Sequence, residues 1–395
     1  MNLYTVRSKH EVFHCVIILF GLICCSIDGF GQIEQITIDT SDTIIDCKGG
    51  LFNNGKPTYL IIRSKKTTDG WIQTKNVTIQ NCKINGAIRV IGLGENGQAE
   101  GVKQSSFSLG HTARAQSIAP TNIKLLNVII DGVSNKTLLY LAPGTTFVTV
   151  ENSIFCGQNT GSGPVIYLDA ESGYNTFQNN FINTIAKREM IACDGSAYNI
   201  IDGNIFENII KGGIYLYRNC GEGGTVRHQT PNHNTITNNS FKLGSLLFGN
   251  YGIWLGSRNG NKSYCDQDDG YPFGSSIDNH DFADYNIVNS NIFEEAYSKA
   301  VEIKNNGQNN QINSVSDVNE INTNDEQRIV IVNKKLIFNN LNDECLIRFF
   351  DFSGRMLMSN FFEDNIIEIP LAMNEVCFVQ IINDDKIWTR KMIVK

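Results

Sequence analysis

The chain of 395 residues predicts an all-β fold: a solenoid of short parallel strands, one coil per sequence repeat, followed by a small C-terminal segment of alternating strands. The octapeptides "NTFQNNFI" at 175, "NIIDGNIF" at 199, "NTITNNSF" at 234 and "NIVNSNIF" at 286 carry the first part. Each has asparagine first, an apolar residue two on, a second asparagine five on and an apolar residue seven on. Period-two alternation returns side chains to one face of a strand. Units of about 24 residues, with few prolines, suit coils that pair only with their neighbours. Looser copies, "NVTIQNCKI" at 76, "NIKLLNVII" at 122 and "FVTVENSIF" at 147, extend the repeat towards the N-terminus. An asparagine fixed in each coil tolerates the left-handed backbone of a tight turn, and stacked amides hydrogen-bond along the column.

From the N-terminus, residues 1–31 read as a secretory signal peptide. Arg7 and Lys9 precede an apolar run from Val12 to Cys25, and cleavage after Gly31 follows small residues. The run is too short for a membrane span, and no other segment approaches one. Cleavage leaves eight cysteines, with no CxxC pair to suggest zinc. Export permits disulfides. Cys82 and Cys156 occupy repeat positions and read as core thiols, whereas Cys220 and Cys265 fall in loops and are the candidate disulfide. Lysine plus arginine (33) against aspartate plus glutamate (40) gives −7, so nothing draws the chain to nucleic acid or an anionic membrane. A monomer is expected.

The repeat region, residues 32–316 and including "TIIDCKGG" at 43, resembles the right-handed parallel β-helix family, the pectin-lyase-like and periplasmic copper-binding-type repeat proteins. After a polar linker at 317–327, residues 328–395 alternate around "DFSGR" and end in "KMIVK". They resemble the C-terminal sorting domain of type IX secretion substrates, a small β-sandwich, with Glu375 where that family has glycine. This resemblance implies contact with the type IX machinery, passage across an outer membrane, and a secreted or cell-surface location. It implies no part in chemistry for this domain.

The strong repeats are spaced 24, 35 and 52 apart, so two coils carry about 11 and 28 extra residues. Most of both excesses follows one strand, "GIYL" ending at Leu216 and "GIWL" ending at Leu255. Two long loops therefore rise side by side from one edge. Stacking the preceding strands puts Tyr140, Tyr167, Ile191, Tyr215, Trp254 and Glu302 in one outward column, and Ala142, Asp169, Cys193, Tyr217, Gly256 and Lys304 in the next. Such an aromatic column suits the apolar faces of sugar rings, or else packs beneath the loops.

The loops supply Arg218, Glu222, Arg227 and His228, then Arg258, Asp266, Asp268, Asp269, Asp278, His280 and Asp281. Eliminating across a uronic-acid linkage needs a cation for the substrate carboxylate, a base for the adjacent proton and an acid at the leaving oxygen. Arg218 and Arg258 suit the first role, His228 or His280 the second and Tyr217 the third. A C5-epimerase uses nearly the same set. Tyr167, Tyr215, Trp254, Arg227 and Lys304 are the candidate substrate-binding residues. Hydrolysis needs two carboxylates instead, and Asp268, Asp269 and Asp281 are available. "QDD" with "EIK" at 302 resembles the polygalacturonases of this fold, although their other two signature motifs are absent. "DQDDG" resembles a calcium loop one residue short, making Asp266, Asp268 and Asp269 the candidate Ca²⁺ ligands. "DNHD" resembles the "DPHD" signature of mannuronan epimerases. Each charge also has a plainer role: Arg218 with Glu222, or Arg227 with Asp266, as ion pairs closing the loops. The functional expectation is a polysaccharide lyase or epimerase for an acidic glycan. The alternatives are a glycan-binding or structural surface protein and a glycoside hydrolase.

Overall fold

Short strands of alternating polarity, broken by left-handed turns, wind the chain into a parallel solenoid. The computed structural model describes residues 33–313 except positions 135 and 160, and beyond them the backbones of seven strands between 328 and 393. Residues 1–31, which read as a signal peptide, residues 317–327, which read as a linker, the turn carrying Gly354 and position Glu375 lie outside the described residues.

Three parallel faces run along the solenoid. One carries Leu139–Leu141, Ile166–Leu168, Ile191–Asp194, Ile214–Tyr217, Ile253–Leu255 and Ile303–Asn305 in successive coils. A second is a nine-stranded sheet from Ile44–Asp46 to Gln311–Asn313. The third contains Ile154–Asn159, Ile205–Phe206 and Ile292–Glu294, and joins the first through the long strand Lys83–Ile91. That strand turns the corner at Gly86, where φ is 146° and a Cβ would sit 1.9 Å from the Thr58 carbonyl oxygen. Only glycine fits there.

Inward residues of all three faces form one apolar core, including a stack of Phe206, Phe241 and Phe293 with ring centroids 4.7 and 5.1 Å apart. Two ladders of buried amides line the turns. Asn175, Asn199, Asn234 and Asn286 each donate Nδ2–H to the Oδ1 of the next, ending at Asn310, at 2.8–3.1 Å, and Asn180, Asn204 and Asn239 do the same, ending at Asn291, at 2.9–3.0 Å. Each Oδ1 also accepts the backbone N–H of the coil before, as Asn234 does from Asn199 at 3.0 Å. The stacked amides are therefore present, but the left-handed turn falls on the residue before them: Tyr174, Tyr198, His233 and Tyr285 have φ of 58°, 59°, 54° and 57°. With Phe147 these rings stack face to face, 4.9–5.4 Å apart. The inner rings spend both faces on one another, while Phe147 and Tyr285 end the stack and stay about half exposed.

Two features depart from expectation. Cys82 is not a free core thiol but is bridged to Cys47, which the coil stacking brings to a Cα separation of 4.8 Å. Residues 100–118 form two short helices, α1 (Glu100–Ser106) and α2 (His111–Ile118), between two strands of the solenoid. Beyond 327, Arg328–Val332, Lys335–Asn339 and Ile366–Glu368 pair antiparallel, as do Met356–Phe362, Cys345–Asp351, Val376–Asn383 and Lys386–Ile393. Among the described residues no helix is long and apolar enough to cross a membrane.

Candidate functional site

Strand register decides which side chains share the outward column. Tyr140 pairs with Tyr167, Tyr167 with Ala192, Ala192 with Tyr215, Tyr215 with Trp254 and Trp254 with Lys304. Two of the expected coils are thus one step out. Ile191 and Cys193 point into the core, and Lys304 rather than Glu302 continues the column. The next outward column carries Asp169, Asp194 and Tyr217 on three successive coils. Parallel strands lie about 4.8 Å apart, so the two aspartates are immediate neighbours.

Over these columns lies a cleft of about 710 Å³. Its floor holds Arg89, Tyr140, Tyr167, Asp169, Tyr215, Tyr217 and Trp254. Lys187, Arg188, Glu189 and Lys211 edge it from the turns before the strands, and Asn219, Glu222, Arg258, Lys262 and Tyr264 from the long loops after them.

The charges are tightly engaged. Tyr140 donates to Asp169, and Tyr167 donates to Asp194 at 2.6 Å. Asp194 also accepts the Asn219 N–H at 2.7 Å and its side-chain amide. Arg227, 1% exposed, reaches Asp169 at 3.8 Å, while Nε, Nη1 and Nη2 have no hydrogen-bond partner. A Cβ on Gly97 would meet that guanidinium at 2.2 Å, so the glycine lets the loop before α1 close over it. Burial pushes the Asp169 carboxyl up to about 6; Arg227 opposes the rise and the neighbouring Asp194 adds to it. Arg258 stacks on Tyr217 with 3.9 Å to the ring centroid and donates to the Tyr264 hydroxyl at 2.6 Å. Glu189 takes a forked contact from Arg188 at 3.0 and 3.1 Å, and accepts from the Tyr217 hydroxyl at 3.1 Å. Burial, then the charges of Arg258 and Arg188, depress the Lys262 ammonium. Cations from the two edges of the cleft therefore face one another across it.

Of the residues singled out from sequence, the fold brings Tyr167, Tyr215, Tyr217, Trp254 and Arg258 to the cleft, with Arg227 buried behind Asp169. Arg218 does not line it. Its guanidinium donates to the carbonyls of Asp278, Arg227 and His280, tying the loops together rather than pairing with Glu222. Neither histidine lines it: His228 donates Nε2–H to the Ser106 carbonyl at 2.7 Å and packs against His111 and Phe273, and exposed His280 pairs with Asp278. Asp266 is bonded to Asn279, Asp268 to Ser275, and Asp269 is exposed. Among the described residues no group of three or more histidines, cysteines or acids is placed to hold a metal, so the three aspartates do not form a calcium cage. Arg227 pairs with Asp169 and not Asp266. Cys220 and Cys265 are bridged. Lys304 extends the column beyond the cleft.

Arg89, Lys187, Arg188, Glu189, Asp194, Lys211, Lys262 and Tyr264 escaped sequence reasoning. The basic runs "KRE" at 187 and "RNGNK" at 258 were the available signals.

The helix pair is the platform behind the first loop. Ser106 Oγ accepts the Val226 N–H at 3.1 Å, Lys103 donates to the Gly223 carbonyl at 2.9 Å, and Thr112 and Gln116 reach Glu171. Burial presses His111 there down to about 4, from 6.5, against the pull of Glu171. Its folded value lies below the ordinary one, so the stability it contributes is complete above about 6.5 and lost as pH falls towards 4. We expect up to about 3 kcal/mol to go across that window. Hydrogen exchange at the amides of residues 226–229 should accelerate accordingly in the wild type and much less in His111→Gln. Equal acceleration in both would refute it.

Comparison with known proteins returns no matching family model, no matching curated protein and no matching solved structure.

Proposed function

We propose that the protein processes an acidic polysaccharide by lyase or C5-epimerase chemistry in the lateral cleft. The observation that carries this is the cleft's charge: six cations, Arg89, Lys187, Arg188, Lys211, Arg258 and Lys262, against the carboxylates Asp169, Glu189 and Glu222, in a chain of net charge −7. Such a basic focus attracts a polyanion locally where the whole molecule does not. Tyr215 and Trp254, in edge contact at 5.4 Å, add apolar surface for sugar rings. Arg258 is proposed to bind a carboxylate along the polymer, and Tyr217, on which it stacks, holds the guanidinium in place. The residues 1–31 and the C-terminal resemblance support a secreted or cell-surface location.

One observation favours hydrolysis as a second reading. Asp169, Glu189 and Glu222 all line the cleft, and a pair of carboxylates flanking the bond is what glycoside hydrolysis requires.

Incubation with uronic-acid and neutral polysaccharides separates these outcomes. Unsaturated ends mean elimination, reducing ends alone mean hydrolysis, and capture without turnover means a binding protein. Preference for neutral polymers would sink the acidic-glycan proposal. Arg258→Ala is expected to weaken polyuronate binding about tenfold, or about 1.4 kcal/mol, by calorimetric titration at low salt. An unchanged affinity would remove Arg258 from the site.

A further inference from the structure

Tyr140 and Tyr167 stand one coil apart, rings edge to face with centroids 5.3 Å apart, and each donates its hydroxyl proton to an aspartate of the following coil. The two pairs are not equivalent. Asp194 is fully enclosed and is also held by the backbone and side-chain amides of Asn219. It does not line the cleft. Asp169 does line it: one oxygen accepts the Ala170 N–H at 2.8 Å and faces Arg227, and the other takes the Tyr140 proton. Across the Tyr140 ring lies Arg89, its carbon 4.3 Å from the centroid. Arg89 bonds the Tyr59 hydroxyl at 2.8 Å and the Glu95 carbonyl at 2.7 Å, leaving Nε without a partner. A cation, a phenol and a carboxylate thus line the cleft on three successive coils, with a buried counter-charge beside the carboxylate.

We propose that Tyr140 is the catalytic base and acid of this cleft, relaying its proton to Asp169, with Arg89 receiving the substrate carboxylate and Arg227 positioning the relay from behind. The inference rests on the lyase or epimerase reading above. In the elimination, the Tyr140 oxygen takes the proton from C5 as its own proton passes to Asp169. The C5–H electron pair becomes the C4=C5 double bond, and the C4–O4 bond breaks. The proton then returns from Asp169 through Tyr140 to O4, which leaves as the hydroxyl of the released chain. No other reactant is needed. Asp169 must be ionised to accept a proton, and a carboxyl brought to about 6 can also return it near neutrality. The groups facing Asp169 are Arg227, Asp194, Tyr140 and Tyr167, with Arg89 beyond the Tyr140 ring.

The test uses the full chain on a uronic-acid polymer, following unsaturated ends and deuterium uptake at C5 in heavy water. Tyr140→Phe and Asp169→Asn are expected to lower kcat about 100-fold or more while polymer binding persists. Tyr167→Phe should shift KM more than kcat. Activity should fall as pH drops below about 6, and Arg227→Met, which removes the cation opposing protonation of Asp169, should move that limb to higher pH. A merely structural Arg227 would lower activity without moving it. If the wild type makes unsaturated product and Tyr140→Phe, or Asp169→Asn should that variant not fold, keeps its kcat, the relay is overturned and the function stands. Neither unsaturated ends nor deuterium uptake from any uronate polymer would overturn both.

Discussion

Replacing Asp281 by alanine is expected to destabilise the loop platform by about 3 kcal/mol or more and to abolish polymer binding, although Asp281 does not line the cleft. Its carboxylate, 1% exposed, accepts the backbone N–H of Arg218 from the first loop at 3.2 Å. It also accepts those of Arg258 and Asn259 from the second, at 2.8 and 2.6 Å. Truncation strands three amides at once, and a donor left buried and unmet costs about 1–3 kcal/mol. It also frees the segment that aims Arg258 at Tyr217. Asp281→Asn keeps one acceptor oxygen and should lose less. Denaturant unfolding and polyuronate titration of both variants check this; an alanine variant with wild-type stability would show that something else holds the loops.

Asn234→Ala is expected to cost about 2–4 kcal/mol of global stability. Asn234 Oδ1 takes the Asn199 N–H at 3.0 Å and its amide at 2.8 Å, while its own Nδ2 reaches Asn286 at 3.1 Å and the Ser196 carbonyl at 3.3 Å. Both neighbours are wholly buried, so no solvent replaces the lost groups. At the ladder's end Asn310 is half-buried, and Asn310→Ala should cost about 1 kcal/mol or less. The comparison of the two melting curves decides the matter: equal losses would mean that the ladder does not act through burial.

The solenoid was legible because its determinants repeat. Asparagine five residues after asparagine, with apolar positions between, encodes both ladders and the core directly, and the loop excesses marked the correct edge. The register in two coils was not legible. "MIACD" alternates equally well in either frame, and only the pairing of Ile191 opposite Ile166 and Ile214 chooses the one that turns Cys193 inward and Asp194 outward. The same holds for "VEIKN", where the frame puts Lys304 beside Trp254. The histidines drew attention by residue type, yet their placement depends on α1 and α2, an insertion lying outside the repeat that organised the rest. Lys187 and Arg188 sit in the turn before their strand, opposite the long loops, so a search confined to one edge passes them by.

That insertion also sets an order of assembly. The ladder bonds join residues 24, 35 and 52 apart in sequence, from one coil to the next. The bonds of Val226 and His228 to Ser106 span 120 and 122 residues. Contacts between successive coils close short loops and let the framework grow from whichever end forms first, whereas long-range closure is slow. During synthesis, α1 and α2 must wait through four coils for the segment they brace. A chain halted after Gly213 would hold a growing solenoid and a helix pair anchored at Gln73 and Glu171, but neither long loop, so the walls that close the cleft are added last.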